Sequence, residues 1–176
     1  MKLLLSLLLA IALPVRAQEA PEWFAETFLD VREDVAEAAK EGRRLMLYFW
    51  LEGCPYCRQL VGVTFRDPEV VAKVRRGFVA IAINVRGDRE VTWTDGVTMS
   101  EKRLAVALKV RSTPTLIFFD EKGEIALRVS GYHDPKQFDA VLDRASRRAP
   151  APRSALHPDR RAPTSPAPRD PRPFPD

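Results

Sequence analysis

The sequence from residue 45 to residue 57 reads LMLYFWLEGCPYC. Residues 45–50 form an unbroken apolar and aromatic run that is too short for a buried helix, so they predict a strand covered on both faces. Cys54 and Cys57 follow this run and are separated by Pro55 and Tyr56. Two cysteines at this spacing, placed between a buried strand and a helix, can close a small disulfide ring.

The position of Cys54 predicts a reactive thiol. If a helix begins at this residue, its backbone amides and its dipole favour the thiolate over the thiol. Cys54 would then attack a thiol or disulfide of another protein. Cys57, one turn later on the same face, is predicted to be more buried and to resolve the mixed disulfide.

Three other interpretations of the pair stay open: an inert short-loop disulfide, half of a metal site, and two core thiols. The chain has only these two cysteines. Closing so short a loop stabilises a fold little. A soft metal such as Cu(I) needs further ligands, and neither His133 nor His157 shows a spacing that relates it to the cysteines. The proline between the cysteines indicates an exposed turn rather than a core segment.

Elements on both sides of this segment follow from apolar periodicity. An amphipathic helix is predicted before the strand, ending at Gly42, with an apolar stripe formed by Phe28, Val31, Val35 and Ala38. A helix is predicted after Cys57, and Asp67 and Pro68 are suited to the N-cap and first position of another. Residues 78–85 predict a second buried strand, parallel to the first because a long crossover joins them.

The second half of the domain completes the sheet. Residues 86–99 show no clear period, and a short hairpin is one interpretation; Trp93 either docks a partner or packs over its own loop. Ser100 is predicted to cap a helix, and residues 115–119 and 125–129 to form antiparallel strands. Asp134 and Pro135 start a last helix. The predicted fold is a three-layer α/β/α sandwich with a mixed four-stranded sheet.

The two ends differ from this domain in composition. Residues 1–17 combine one early lysine, a nearly unbroken apolar run and small residues at 15 and 17, which predicts a secretory signal cleaved before Gln18. The mature protein is therefore expected to be exported or periplasmic, without stable insertion in the membrane. Residues 149–176 hold nine of the 15 prolines and predict a disordered Pro/Arg/Ala-rich tail, either an envelope tether or a segment without a partner.

The charge balance argues against a nucleic-acid partner. The chain has 28 Lys and Arg against 24 Asp and Glu, and the two ends hold seven of the basic and three of the acidic residues. Residues 18–148, the predicted folded domain, are therefore electrically neutral. A neutral domain does not fit the basic footprint of a DNA- or RNA-binding protein.

The Cys54–Cys57 segment after a buried strand, with Thr113 and Pro114 opening a later strand, closely resembles the thioredoxin superfamily. With the signal sequence, the chain is most similar to exported bacterial thioredoxin-like proteins, including those associated with sulfur oxidation and cytochrome maturation. The resemblance implies a thioredoxin-like fold, a redox-active Cys54–Cys57 disulfide and no bound cofactor or metal. Its partners would be protein thiols and disulfides and an upstream, membrane-bound electron donor.

The resemblance also implies a substrate groove around the cysteines. A cis bond before Pro114 would leave the Thr113 backbone free to pair with an extended segment. Pro55 and Tyr56 would border the groove, and Gly131 resembles the glycine that lines it in the family. Its neighbours Tyr132 and His133 either touch a partner or serve packing.

The chain departs from cytosolic thioredoxins at two positions. Tyr48 stands where they carry a buried acidic residue, and Gly53 where they carry a tryptophan. A tyrosine does not accept a proton as a carboxylate does. Glu52 is a candidate substitute for that carboxylate, or a solvated charge on a turn.

The function expected from these observations is an exported thiol:disulfide oxidoreductase that acts as a reductase. The alternative is a thioredoxin-fold binding module, such as a chaperone or metal carrier, that uses the same groove without turnover. A structural envelope protein attached through its tail is the third possibility.

Overall fold

The computed structural model describes residues 20–147, so the predicted signal sequence and proline-rich tail lie outside the described residues. The five helices of this part of the chain are α1 (Val31–Lys40), α2 (Pro55–Gly62), α3 (Pro68–Gly77), α4 (Glu101–Ala107) and α5 (Pro135–Arg147). The six strands are β1 (Arg44–Trp50), β2 (Phe78–Asn84), β3 (Glu90–Thr92), β4 (Thr98–Ser100), β5 (Thr115–Phe119) and β6 (Ile125–Ser130). A 3-10 helix, Thr64–Arg66, lies between α2 and α3.

The main sheet confirms the predicted mixed four-stranded arrangement. Its order is β2-β1-β5-β6, with β1 parallel to β2 and antiparallel to β5, and β5 antiparallel to β6. The long crossover through α2 and α3 lets β1 and β2 run parallel, whereas a tight turn joins β5 to β6. Asp120 holds that turn, because its carboxylate accepts hydrogen bonds from the backbone N–H groups of Lys122 and Glu124 at 2.9 Å each.

The two faces of the sheet carry separate cores, as the alternation of side chains along a strand requires. On one face Met46, Tyr48 and Trp50 pack with both cysteines and with α2, α3 and α5. On the other face Leu45, Leu47 and Phe49 pack with α1 and α4. The resulting three layers confirm the predicted sandwich.

The stretch of residues 86–99 forms, with Ser100, a small hairpin of β3 and β4, as the sequence suggested. Trp93 is buried, and its ring lies 5.8 Å from that of Phe119 at the end of β5. The hairpin is thus attached to the core on the α1 and α4 face by this tryptophan.

The edge of β2 that faces away from β1 forms hydrogen bonds with other parts of the chain. Ala25 donates its N–H to the carbonyl of Ala80, and Arg89 donates to the carbonyl of Ala82. The N–H of Asn84 donates to the buried carboxylate of Glu101. Two carbonyls and one N–H group along this edge therefore have partners.

Two details of the sequence prediction are wrong. Phe28 is fully exposed and lies before α1, because the chain turns at Leu29 with φ +60° and the helix begins only after its N-cap Asp30. The Ser100 side chain does not cap α4. Loop carbonyls of Gly87 and Arg89 already accept the first N–H groups of that helix, at Lys102 and Glu101.

Among residues 20–147, no helix has the length and apolar character needed to cross a membrane.

A candidate dithiol site at the start of helix α2

The two cysteines lie where β1 passes into α2. A turn follows Trp50, and Gly53 in it has φ +76°, a left-handed conformation that glycine adopts without strain. This geometry gives a physical reason for glycine rather than a larger side chain before Cys54. Cys54 is the N-cap of α2, and its sulfur accepts a hydrogen bond from the backbone N–H of Cys57 at 3.2 Å.

Both cysteines are free thiols in this structure. Cys54 is 8% exposed and Cys57 4% exposed, so the first sulfur is slightly nearer to solvent. Pro55 fills the first position of α2, and Tyr56 is 59% exposed beside it. The residues between the cysteines therefore lie on the surface, and the cysteines lie beneath it.

Thr113 contacts the Cys54 sulfur from the other side. The Thr113 hydroxyl donates to Cys54 Sγ at 3.4 Å, and the Cys54 thiol donates to the Thr113 carbonyl at 3.5 Å. This loop, which enters β5, lies next to the end of β1 because the two strands are paired in the sheet. The sequence indicated the Thr113 backbone as a binding element but not this contact of its hydroxyl.

The surroundings of Cys54 favour its thiolate. Burial opposes ionisation, but hydrogen bonds from the side chains of Cys57 and Thr113 and from the backbone of Cys57 and Tyr56 outweigh it, so the pKa of Cys54 is lowered. The helix dipole at the N-terminus of α2 acts in the same direction.

Cys57 has the opposite tendency. Burial, its hydrogen bond to Cys54 and the charge of Cys54 raise the pKa of the Cys57 thiol, although the Leu51 backbone and the Thr113 hydroxyl act against them. When the dithiol loses one proton, these directions favour the charge on Cys54 and the remaining proton on Cys57. This asymmetry distinguishes a nucleophile from a resolving thiol.

Pro114 and Gly131 lie together beside the cysteines. The Thr113–Pro114 peptide bond is cis, and the Pro114 carbonyl accepts a hydrogen bond from the N–H of Gly131 at 2.8 Å. Gly131 has φ +87°, which places it in the region favoured by glycine. The structure thus brings Cys54, Thr113, Pro114 and Gly131 to one end of the sheet.

A hydrogen bond from Thr64 holds the loop after β6 in place, and the sequence did not indicate this contact. Thr64, fully buried in the 3-10 helix, donates its hydroxyl to the carbonyl of His133 at 2.7 Å. The His133 ring turns back to the Gly131 carbonyl at 3.0 Å, and Tyr132 packs against the core that contains the cysteines. Packing therefore accounts for Tyr132, while Glu52 lies exposed on the turn before Cys54.

Sequence reasoning did not anticipate the aromatic cluster beneath the site. Trp23 and Phe24, which precede α1, pack on Phe65, and Phe24 and Phe65 each meet the ring of Tyr48 edge-on. Phe65 continues to Phe138 of α5. Adjacent aromatic residues ahead of the first helix were the available signal in the sequence.

Within the described residues, no group of three or more His, Cys, Asp and Glu side chains is arranged to hold a metal ion.

Known proteins place this geometry in context. A family model described as a thioredoxin-like domain matches residues 31–146. The thiol:disulfide interchange protein DsbD of Ralstonia nicotianae is 33% identical over 117 residues, which are 66% of this chain and 18% of that protein. DsbD of Escherichia coli is 30% identical over 119 residues, 66% of this chain and 19% of the relative. The chain thus spans less than a fifth of the length of these relatives.

Solved structures agree on the fold. A thioredoxin-fold protein from Helicobacter pylori has a TM-score of 0.56 at 24% identity, covering 73% of this chain and 78% of that one. A thioredoxin from Thermus thermophilus has a TM-score of 0.51 at 30% identity, covering 63% and 79%. The C-terminal domain of DsbD from Neisseria meningitidis, in its oxidised form, has a TM-score of 0.50 at 19% identity, covering 69% and 97%.

Proposed function

This chain belongs to the thioredoxin-like domain family, and on that premise we propose that it is a thiol:disulfide oxidoreductase acting on cysteines of other proteins. The observation that carries the proposal is the asymmetry of the dithiol. Cys54 receives hydrogen bonds that lower the pKa of its thiol, whereas burial raises the pKa of the Cys57 thiol. If the two cysteines only filled space in the core, nothing would require their thiol pKa values to differ.

The reaction in the reductive direction uses both sulfurs in turn. The Cys54 thiolate attacks one sulfur of a substrate disulfide, forming a bond to that sulfur, and the other substrate sulfur leaves as a thiolate. Cys57 releases its proton to solvent and attacks Cys54 Sγ as a thiolate. The electron pair of the mixed disulfide passes to the substrate sulfur, which leaves as a second thiolate. The substrate has gained two electrons, and the enzyme holds a Cys54–Cys57 disulfide.

The substrate-contacting residues are proposed to be Pro55, Tyr56, Thr113, Pro114 and Gly131. Tyr56 offers an exposed aromatic ring beside the nucleophile, and Thr113 lies against its sulfur. An extended segment of a client protein would lie across these residues with its disulfide over Cys54.

We further propose that the protein works as an exported reductase and that a membrane-bound donor regenerates its dithiol. The secretory signal predicted from residues 1–17 and the similarity to DsbD proteins, named for thiol:disulfide interchange, support this setting. An oxidising compartment does not regenerate a dithiol by itself, so a dedicated electron donor is required.

Reduction of insulin by the purified protein with dithiothreitol tests the activity. Wild type should accelerate the reaction, and Cys54→Ala should abolish the acceleration. Cys57→Ala should form mixed disulfides with client proteins through Cys54, since no resolving thiol remains. A protein that retains partners without any covalent product would instead be a binding module.

The reduction potential of the pair tests the direction. A value near about −270 mV, as for thioredoxin, supports a reductase. A value near about −120 mV would identify a disulfide donor, and one below about −300 mV without turnover would identify a structural disulfide.

A further inference from the structure

The hydroxyl of Tyr48 is a polar group buried without a normal partner. Tyr48 lies in the centre of β1 and is completely inaccessible to solvent, and its hydroxyl oxygen makes no hydrogen bond within the described residues. Leaving a buried hydroxyl unpaired has a free-energy cost for the folded protein. Phenylalanine would avoid that cost at the same size, so the hydroxyl needs an explanation.

The surroundings of Tyr48 fix where the hydroxyl lies. The rings of Phe24 and Phe65 meet the Tyr48 ring edge-on, with centroids 5.9 Å and 5.7 Å away. The oxygen lies on the long axis of this confined ring, so only the O–H bond is free to turn. The same buried cluster contains Cys54 and Cys57 among otherwise apolar side chains.

Cys57 is the neighbour that influences this hydroxyl most. After burial, the interaction of the hydroxyl with Cys57 is the main cause that raises the pKa of Tyr48 above its usual range. The hydroxyl therefore stays protonated and acts as a donor. In the dithiol state the Tyr48 hydroxyl has no acceptor in the part of the chain that the structure describes. When Cys57 becomes a thiolate, its charged sulfur can serve as that acceptor.

We propose that the Tyr48 hydroxyl is a positioning group that donates a hydrogen bond to the Cys57 thiolate whenever the Cys54–Cys57 disulfide opens or a mixed disulfide is resolved. This inference rests on the proposed thiol:disulfide exchange and assigns a role to a residue outside the Cys54–Cys57 segment. Tyr48 keeps its proton throughout, so it is neither a general acid nor a general base.

The step is balanced as follows. An external thiolate attacks Cys54 Sγ of the enzyme disulfide and forms a mixed disulfide, and the Cys54–Cys57 bond breaks. Its electron pair stays on Cys57 as a buried thiolate, which Cys54 does not repel because the Cys54 sulfur is now bonded to the external sulfur and carries no charge. The Tyr48 O–H turns toward that sulfur and stabilises it, because hydrogen bonds to charged groups are stronger than those to neutral ones. The Leu51 backbone and the Thr113 hydroxyl also favour the charged form of Cys57.

The test compares two reactions at Cys54 in Tyr48→Phe, one that charges Cys57 and one that does not. Opening of the oxidised protein by dithiothreitol in stopped flow creates the Cys57 thiolate. We expect this opening to be about three- to tenfold slower than in wild type, the range for a lost hydrogen bond to a partly charged leaving group. Alkylation of Cys54 by iodoacetamide does not charge Cys57, so its rate should stay within about twofold of wild type.

Two further variants separate this role from packing. Thr113→Val should slow alkylation of Cys54, which Tyr48→Phe should not do. Phe78→Leu removes part of the same buried cluster at the far end of β1, where Phe78 pairs with Arg44, and should leave the opening rate unchanged. Tyr48→Phe should melt at the same temperature as wild type or higher, because an unpaired buried hydroxyl is gone.

An opening rate of Tyr48→Phe equal to that of wild type would overturn the inference, as would equal slowing by Phe78→Leu. Neither result bears on the proposed function, which fails separately if wild type does not reduce insulin. The opening of the enzyme disulfide is measurable without any client protein, so the two failures are distinguishable.

Discussion

The Thr113 hydroxyl is one of the donors that hold the charge of the dithiol on Cys54. Thr113→Val keeps the shape of the side chain and removes the donor, so the pKa of Cys54 should rise. Alkylation of Cys54 at neutral pH should slow by about three- to tenfold, as expected for a lost hydrogen bond to a charged sulfur. The pH dependence of the alkylation rate measures the change.

Thr115→Val is a matched control for this prediction. The Thr115 hydroxyl bonds to the Ser112 carbonyl and to the Ser130 hydroxyl, both at 2.8 Å, away from the sulfurs. Its loss should lower stability and leave the Cys54 alkylation profile unchanged. A shift of equal size in both variants would show that loop distortion, not the hydroxyl, controls the thiol.

Asp34 makes the stability of the fold depend on pH. Burial raises the pKa of this carboxyl from 3.8 to about 6, while a hydrogen bond from Thr27 partly opposes the rise. Folding therefore favours the protonated acid, so this contribution is complete below about pH 4 and is lost as the pH rises through about 6. Above that pH the fold contains a buried carboxylate.

Asp34→Asn should accordingly raise the free energy of unfolding at neutral pH by about 1–3 kcal/mol. It should also remove the decrease in stability between about pH 4 and 6. Urea titrations across this range measure both effects. Glu52→Gln removes an exposed carboxylate that is not among the charges acting on Asp34, and it should change neither. A variant that is less stable than wild type at neutral pH would contradict the prediction.

At the scale of elements, Arg44 joins the start of β1 to the end of α5. Its guanidinium donates to the carbonyls of Ala145 and Ser146 at 2.9 Å and 3.0 Å and pairs with Glu121. The last carbonyls of a helix have no partners within the helix, so this side chain acts as its C-terminal cap.

Arg44→Met should lower the free energy of unfolding by about 1 kcal/mol and speed amide hydrogen exchange in the last turn of α5. Arg43→Met is the control, because Arg43 pairs with Glu41 on the surface and does not reach α5. Equal exchange in the two variants would show that α5 does not depend on the cap.

The elements themselves were largely predictable. The apolar run before Cys54 gave β1, and Asp67, which accepts hydrogen bonds from Glu69 and Val70, was recognised as the N-cap of α3 because its residue type and place match a local rule. Ser100 fits the same rule, yet the carbonyls of Gly87 and Arg89, more than ten positions earlier in the sequence, already accept the first N–H groups of α4. Local chemistry predicts a cap only where no tertiary contact competes for the same N–H groups.

The candidate site likewise has one part that the sequence predicts and another that it does not. Cys54 and Cys57 are separated by one helical turn, so their relation follows from spacing alone. Contacts of Thr113 with Cys54 and of Thr64 with His133 join residues 59 and 69 positions apart. Such contacts depend on sheet order and on the placement of the 3-10 helix, which periodicity does not encode.

At the scale of the whole molecule, the sheet separates the core that holds the cysteines from the core that holds Trp93. Trp93→Leu should lower the free energy of unfolding by about 2 kcal/mol, less than truncation to alanine would. The alkylation rate of Cys54 should stay within about twofold of wild type, because the sheet lies between them. Urea titration and iodoacetamide kinetics on one preparation measure the two quantities.

Phe138→Leu provides the comparison on the other face. Phe138 is fully buried in α5 and meets Phe65, which contacts Tyr48. Phe138→Leu should lower the free energy of unfolding by a similar amount. It should also change the alkylation rate of Cys54. Equal kinetic effects from both faces would mean that the sheet does not separate the two cores.

The paired backbone groups along the edge of β2 affect which other polypeptides can bind there. Unfolded polypeptides expose unpaired strands, and an open sheet edge would capture them, or a second copy, by extending the sheet. Ala25, Arg89 and Glu101 already engage the backbone groups along β2. These three groups of β2 are therefore unavailable to a strand from an unfolded chain or from a second copy, which disfavours polymerisation along this border.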